Sequence, residues 1–381
     1  MLHTSEALTC APFLTNLTLT DFRSHAYARL DCMAGPVVLT GDNGEGKTNI
    51  LEAISLLGPG RGLRSASLSE MARRDGSTGW TVAANLHGAD GDIQIGVGID
   101  PGGDARRLRI DGASEKGFEK LARMIPQLWL TPLMDRLFVD AAAGRRRFLD
   151  RFAQGLAPNH SRTLLAYEKA MRERNRLLQD GQAAASWLDS LETTMAVEGV
   201  AIADARLQAL DALANGLTQG HHPHFPQAEI ALEGRLEAAL RAQSAVEAED
   251  EFRAHLQAAR GLDAAAGRTL DGPHRSDFVV RHLEKDMPAA SCSTGEQKAL
   301  LVGLILAQAR VLTRETGIVP LLLLDEVAAH LDSRRRAALF EVILQLGTQA
   351  WITGTDAAVF SEFNVTHVQI INGEITPRRG A

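Results

Sequence analysis

An α/β fold interrupted by a helical insertion is what this 381-residue chain predicts, on three observations. Near the start, Gly41-Asp42-Asn43-Gly44-Glu45-Gly46-Lys47-Thr48 stands between a short apolar run and a helix-like run. Near the end, Pro320-Leu321-Leu322-Leu323-Leu324 is a second apolar run, closed by Asp325 and Glu326. Between them lies a long stretch rich in Ala, Leu, Glu and Arg, whereas both ends carry short apolar strands and Gly-rich turns. The predicted organisation is a discontinuous α/β domain over residues 1–120 plus 265–381, with a mostly helical domain over 121–264.

Taken in order, Pro36-Val37-Val38-Leu39-Thr40 reads as a buried strand and Asn49-Ile50-Leu51-Glu52-Ala53-Ile54-Ser55-Leu56-Leu57 as a helix. The eight residues around Gly44 fit G-x-x-x-x-G-K-S/T, the phosphate-binding P-loop, in the strand–loop–helix context that the motif needs. Glycines let backbone N–H groups close around phosphate oxygens, and the helix N-terminus adds its positive end. Lys47 can then reach the β- and γ-phosphates while the Thr48 hydroxyl holds Mg²⁺. A nucleotide and Mg²⁺ are the expected ligands.

Further along, residues 121–180 carry 11 Lys/Arg against 6 Asp/Glu, and residues 181–260 carry 5 against 12. The insertion therefore has a basic part and an acidic part. Apolar positions such as Leu164, Leu165, Tyr167, Leu177 and Leu178, then Trp187, Leu188, Leu191, Met195 and Val200, recur near helical spacing. A formal net charge of -7 excludes a surface coated in basic residues but leaves room for a local basic patch. Cys10, Cys32 and Cys292 lack C-x-x-C spacing, so they read as reduced core residues rather than a disulfide framework or zinc site. No run approaches about 18 uninterrupted apolar residues, and Met1-Leu2-His3-Thr4-Ser5-Glu6 is not a secretory leader, so the expectation is a cytoplasmic chain with no membrane partner.

In the second half, Ser293 suits a helix N-cap and Glu296 stands three residues later, so Ser293-Thr294-Gly295-Glu296 reads as a capping box. The same helix start, with a hydroxyl and a glycine that permits close approach, also suits a terminal phosphate. Both readings stand together. At the end of the strand, Asp325 can face the P-loop Mg²⁺ and Glu326 can polarise the attacking water; Lys47 and Glu326 are the expected catalytic residues.

The order of P-loop, long insertion, S-x-G-E-Q, strand with Asp325-Glu326, and then Ala329-His330-Leu331-Asp332 resembles the ABC-type ATPase heads of the SMC superfamily. Within it the chain resembles the RecF family of bacterial recombinational-repair proteins. Leu17-Thr18-Leu19-Thr20-Asp21-Phe22-Arg23-Ser24 is similar to that family's opening strand and N-F-R segment, and Thr48–Ile54 to its T-N-I/L-L-E-A-I run. Gly60-Arg61-Gly62-Leu63-Arg64, Arg145-Arg146-Arg147-Phe148-Leu149-Asp150 and Gly272-Pro273-His274-Arg275-Ser276-Asp277 match three further blocks. The resemblance covers about Leu14 to Asp356, although residues 181–260 contribute little to it.

That resemblance implies a P-loop ATPase head in which Ser293 and Gly295 of one subunit meet the γ-phosphate held by the P-loop of the other, with Asp332 crossing the interface. It implies an ATP-dependent homodimer that binds single-stranded, gapped or junction DNA. It also implies weak, DNA-stimulated ATP hydrolysis used as a clock, and work with RecR and RecO in loading RecA during repair, replication restart and the SOS response. Lys169, Arg172 and Arg176 share one helical face, and they join Arg145, Arg146 and Arg147 as expected DNA-phosphate contacts; a solvated face and a structural role are the competing readings. With aromatics at 5%, backbone electrostatics rather than base stacking is expected to dominate. In two places this sequence departs from the family pattern. Thr131-Pro132-Leu133-Met134-Asp135 replaces the usual Pro-Glu-Asp-Leu; Gln127 is the nearest glutamine for a Q-loop but reads better as a polar residue beside a proline turn, and the switch position offers Thr353 or Thr355, with His330 close in sequence and equally readable as a surface-turn histidine. An ATP-binding subunit of a transporter is the alternative reading, though it would not carry the Arg145–Asp150 or Gly272–Asp277 blocks.

Overall fold

The computed structural model describes residues 11–371 and 374–378, apart from residues 75, 77, 90, 182, 183, 221, 329 and 330. The chain divides into two compact units: Met1–Asp135, Gly220–Pro226 and Ser293–Ala381 form the first, Arg136–Gln219 and Gln227–Cys292 the second. In chain order the first unit supplies β1 (Phe13–Phe22), β2 (His25–Asp31), β3 (Val37–Thr40) and α1 (Lys47–Ser55). It continues through β4 (Trp80–Gly88), β5 (Gly91–Ile99), β6 (Arg107–Ile110), β7 (Ala113–Glu115), α2 (Glu119–Met124) and β8 (Gln127–Leu130). The second unit holds α3 (Ala142–Leu156), α4 (His160–Asp180), α5 (Ala185–Gln219), β9 (Ala228–Glu233), α6 (Arg235–Ala242), α7 (Ala245–Ala258), α8 (Arg260–Ala266), β10 (Asp277–His282) and β11 (Met287–Pro288). The chain then returns to the first with α9 (Thr294–Thr316), β12 (Leu321–Leu324), α10 (Ser333–Leu346), β13 (Ala350–Gly354), β14 (Thr366–Ile371) and β15 (Glu374–Arg378).

Two sheets make the first unit. One has the order β2-β1-β4-β5-β6-β7 and is antiparallel, with Trp80, Val82, Ala84 and Leu86 alternating inward along β4. The other, β15-β14-β3-β13-β12-β8, is parallel except at β14/β15. Its strands β3, β12 and β13 are buried at every residue, which is why they read as unbroken apolar runs rather than alternation. The core joins both sheets to α1 through Leu17, Leu39, Ile50, Leu51, Val82, Leu323 and Trp351. Gln349 fastens their ends: its Oε1 accepts from the Leu14 N–H and the Trp351 ring N–H, and its Nε2 donates to the carbonyls of Leu14 and Met33. This is the α/β P-loop architecture expected.

The division lies elsewhere than at 120/121 and 264/265, for two reasons of pairing. β8 is a parallel strand beside β12, so residues 121–135 stay with the first unit, and β10 pairs with β9, so residues 265–292 stay with the second. The segment Gly220–Pro226 also returns to the first unit, where Phe225 is buried and packs at Gly303 of α9. The insertion is not purely helical: β11-β10-β9 form a small sheet. Its β9 residues alternate only between half-buried and exposed, a weak hydrophobic signal.

Burial pushes the Cys32 thiol up to about 12, with help from the adjacent Asp31 charge, so Cys32 stays a protonated core residue. Cys292 is also buried and forms no disulfide among the described residues, while Cys10 lies outside them. Among the described residues no helix is long and apolar enough to cross a membrane.

Candidate functional site

The P-loop leaves the C-terminal end of β3 and turns into α1 through residues that only glycine suits. Gly41 has φ 150°, and a Cβ there would lie 2.3 Å from the Ile370 carbonyl oxygen. Gly46, at φ 100°, sits against His25 and the Ser24 hydroxyl, each 2.8 Å from where its Cβ would be. Asp42, Asn43 and Gly44 are exposed at the loop's rim and Glu45 is half-buried. Lys47 is 5% exposed, and its ammonium donates to the carbonyls of Gly41 (2.6 Å) and Asp42 (2.8 Å), so the charge is held at the mouth of the loop.

Strands β3, β12 and β13 lie side by side and end together, which gathers their C-terminal residues into one cluster. Thr48 donates to Asp325 Oδ1 at 2.9 Å, and Thr353, at the end of β13, donates to the same oxygen at 2.7 Å. The Thr353 hydroxyl in turn accepts the Glu326 N–H at 2.8 Å. Asp325 is buried, and its Oδ2 has no hydrogen-bond partner among the described residues. Glu326 takes a left-handed φ of 54°, uncommon for a residue with a side chain, and its half-buried carboxylate carries no hydrogen bond or ion pair among the described residues. The sequence offers Thr353 only as a switch residue; in the structure its hydroxyl orients both acidic residues, a role no local pattern announces. Thr355 is exposed, and His330 lies outside the described residues.

Around α1, the fully buried Glu52 is gripped by Arg23, through two bonds of 2.6 and 2.8 Å, and by Arg64 at 3.2 Å. The opening-strand arginine and the Gly60–Arg64 turn thus brace the helix that carries Lys47 and Thr48. Gln127 stands at the N-terminal end of β8, whereas the P-loop cluster forms at the C-terminal ends of the strands; its side chain donates to the Ile54 carbonyl at 3.2 Å, late in α1. It is therefore no Q-loop residue, and the segment after Leu130 occupies that end of β8.

Ser293 is the N-cap of α9, with Glu296 accepting from its N–H at 3.1 Å and its hydroxyl at 2.9 Å. Ser293, Thr294 and Gly295 are all exposed, and a Cβ on Gly295 would meet nothing within 4 Å. Asp332 is an exposed N-cap of α10 that accepts the Arg335 N–H at 2.9 Å; this bond, with the nearby arginines, holds its carboxyl below the usual range.

In the second unit the Arg145–Asp150 and Gly272–Asp277 blocks meet. Arg145 forms a two-bond ion pair with Asp277 (2.7 and 2.8 Å), and Arg146 donates to the Ser276 carbonyl at 2.7 Å. Asp150 holds Arg206 through two bonds of 2.7 and 2.9 Å and meets the His160 ring at 2.9 Å. Arg145 and Arg146 thus tie together two parts of their own unit, in keeping with the structural reading of these arginines, while Arg147 is exposed. Lys169, Arg172 and Arg176 lie exposed on α4, and among the described residues only Arg172 is paired, to Glu168 at 3.4 Å; the adjacent Arg174 points the other way and is fully buried.

The family model for the RecF/RecN/SMC N terminal domain matches residues 13–374. A protein of Mesorhizobium japonicum (strain LMG 29417 / CECT 9101 / MAFF 303099), named DNA replication and repair protein RecF, is 50% identical over 373 residues, covering 97% of this chain and 98% of that one. The chain belongs to the RecF family. Its fold is likewise that of a solved RecF, the recombination mediator protein RecF with ATP in the RecFOR pathway, at a TM-score of 0.86 and 24% identity over 99% of this chain and 100% of that one. The Smc head domain from Pyrococcus furiosus, bound to the C-terminal domain of ScpA, matches at a TM-score of 0.55 and 17% identity over 96% of each chain. A RecF-family head of SMC type accounts for the helical insertion, and the transporter alternative is not favoured.

Proposed function

We propose that this chain is an ATP-dependent DNA-binding switch of recombinational repair, in which two copies close around nucleotide and open after hydrolysis. The observation that carries this reading is the pairing, within one chain, of a complete P-loop cluster with an exposed signature turn at Ser293–Gly295. A helix start that presents a hydroxyl and an unobstructed glycine to solvent is suited to a phosphate brought by another subunit.

The residues present fit Mg²⁺–ATP. Mg²⁺ takes hard oxygen ligands and is held by one or two protein groups plus phosphates and water, and the Thr48 hydroxyl beside the Asp325 carboxylate supplies such a pair. Bound there, the ion would neutralise phosphate charge. Lys47 would bind the β- and γ-phosphates, the backbone of Gly41–Gly46 would cradle them, and Glu326 would take the proton of the attacking water. Asp332 of the opposite subunit would complete the closed site. Slow, DNA-stimulated hydrolysis would release DNA, with RecR and RecO as partners in RecA loading at gaps, in the cytoplasm. Lys169, Arg172, Arg176 and Arg147 are the proposed phosphate contacts.

Ser293→Arg tests the shared site directly: each subunit is expected to bind ATP as before, yet the ATP-dependent dimer is lost in sedimentation. Dimers that persist in this variant would refute the assignment of the signature.

A further inference from the structure

One buried cation in the first unit has no role in the chemistry above. Lys298 lies in the second turn of α9, where its side chain is 8% exposed, and its Nζ sits 3.2 Å from Asp135 Oδ2. Nothing local calls for a lysine there: the site is close to the positive end of the helix dipole and the long side chain is out of water. Its partner lies just beyond β8, after a turn in which the Met134 N–H donates to the Thr131 carbonyl at 2.9 Å.

The two ends of this ion pair are each fixed to one half of the proposed site. On the Asp135 side, β8 pairs with β12 in the register Leu130↔Leu324, and the Asp325 N–H donates to the Leu130 carbonyl at 2.8 Å. Asp135 thus follows, by five residues, the strand residue that holds the backbone of the metal-side carboxylate. On the Lys298 side, Glu296 locks Ser293 onto the start of α9, so the signature turn moves only with its helix. In a two-fold dimer both composite sites must close at once, which requires a fixed placement of signature turn against P-loop cluster within each protomer.

We propose that the Asp135–Lys298 ion pair is a positioning tie that sets the signature turn relative to the Asp325 strand, so that nucleotide binding by one protomer presents Ser293 correctly to the other. The inference rests on the shared-site reading above. Neither residue touches nucleotide; each acts through the element it anchors.

The test uses the full chain carrying Glu326→Gln to hold ATP unhydrolysed, alone and with Lys298→Met, Lys298→Arg or Asp135→Asn. Circular dichroism checks folding, a fluorescent ATP analogue reports nucleotide affinity, and sedimentation with Mg²⁺–ATP reports dimerisation. Lys298→Met keeps the apolar stem and loses the charge, so nucleotide affinity is expected to stay within about twofold while the dimer weakens about tenfold or more, with Lys298→Arg restoring it. Dimerisation equal to the parent's would overturn the tie, as would a parallel loss of nucleotide affinity, which marks a merely structural pair. Should Lys298→Met not fold, Asp135→Asn decides by the same criteria. Absence of an ATP-dependent dimer in the parent would overturn the shared-site reading and the tie with it, whereas a parent dimer unaffected by these changes overturns the tie alone.

Discussion

Two regions of this chain bury charge to a similar depth and use it in opposite ways. In the second unit Arg174 is fully buried, and its guanidinium is satisfied by Glu192, Asp263, Thr269 and the Leu256 carbonyl. In the first, Asp325 and Lys47 are each 5% exposed, yet Asp325 keeps an oxygen without a partner, and Glu326 beside it is strained and unpaired among the described residues. Burial of charge is therefore no mark of function by itself. What distinguishes the nucleotide cluster is that its hydrogen bonds orient the acidic groups without exhausting them.

The largest test of this contrast is Glu326→Gln. Turnover measured by phosphate release is expected to fall about 10²–10⁴-fold with unfolding unchanged, since the carboxylate supports no other group. Hydrolysis within a few-fold of the parent would remove Glu326 from the general-base role. Arg174→Met should behave in the reverse sense, destabilising the chain by about 3–5 kcal/mol in urea denaturation because Asp263 is left buried without its cation. A loss below about 1 kcal/mol would mean that the second unit does not depend on this network.

The Asp150 carboxyl sharpens the comparison through pH. Burial alone would raise its pKa, but Arg206 and His160 outweigh that and hold it below the usual value. A lowered folded-state value contributes stability above the ordinary carboxylate range, lost as pH falls through the folded value. Acid unfolding should therefore steepen there, and Asp150→Asn should flatten it; an unchanged acid limb would show that Asp150 is not the linked group. The smallest effect is expected on the exposed α4 face, where Lys169, Arg172 and Arg176 replaced together by Ala should leave stability within about 0.5 kcal/mol. Their loss should lower the salt slope of DNA affinity by about one per contact removed, and an intact slope would move the DNA contact elsewhere.

Much of the site was legible because its signals are local. A glycine loop between strand and helix, two carboxylates at a strand end and a serine three residues before a glutamate each need only their neighbours to be recognised. The arginine blocks were legible as blocks but not as contacts: Arg145 finds Asp277 across 132 positions, and no spacing rule predicts that pairing. Strand β9 was not legible, since its residues alternate only between half-buried and exposed, whereas the reading of Gln127 as a polar residue beside a proline turn, preferred over a Q-loop role, agrees with its place at the N-terminal end of β8.

Residue order by itself carried the candidate groups: a loop of phosphate-binding pattern, an acid pair at the end of an apolar strand and a helix start suited to an anion. Tertiary structure decided the partners: that Thr48 meets Asp325 across 277 positions, that Thr353 orients both acidic residues, and that Lys298 finds Asp135. The physical reason is range. Backbone conformation and capping depend on a few adjacent residues, whereas the choice of partner for a buried charge depends on which strands and helices pack side by side.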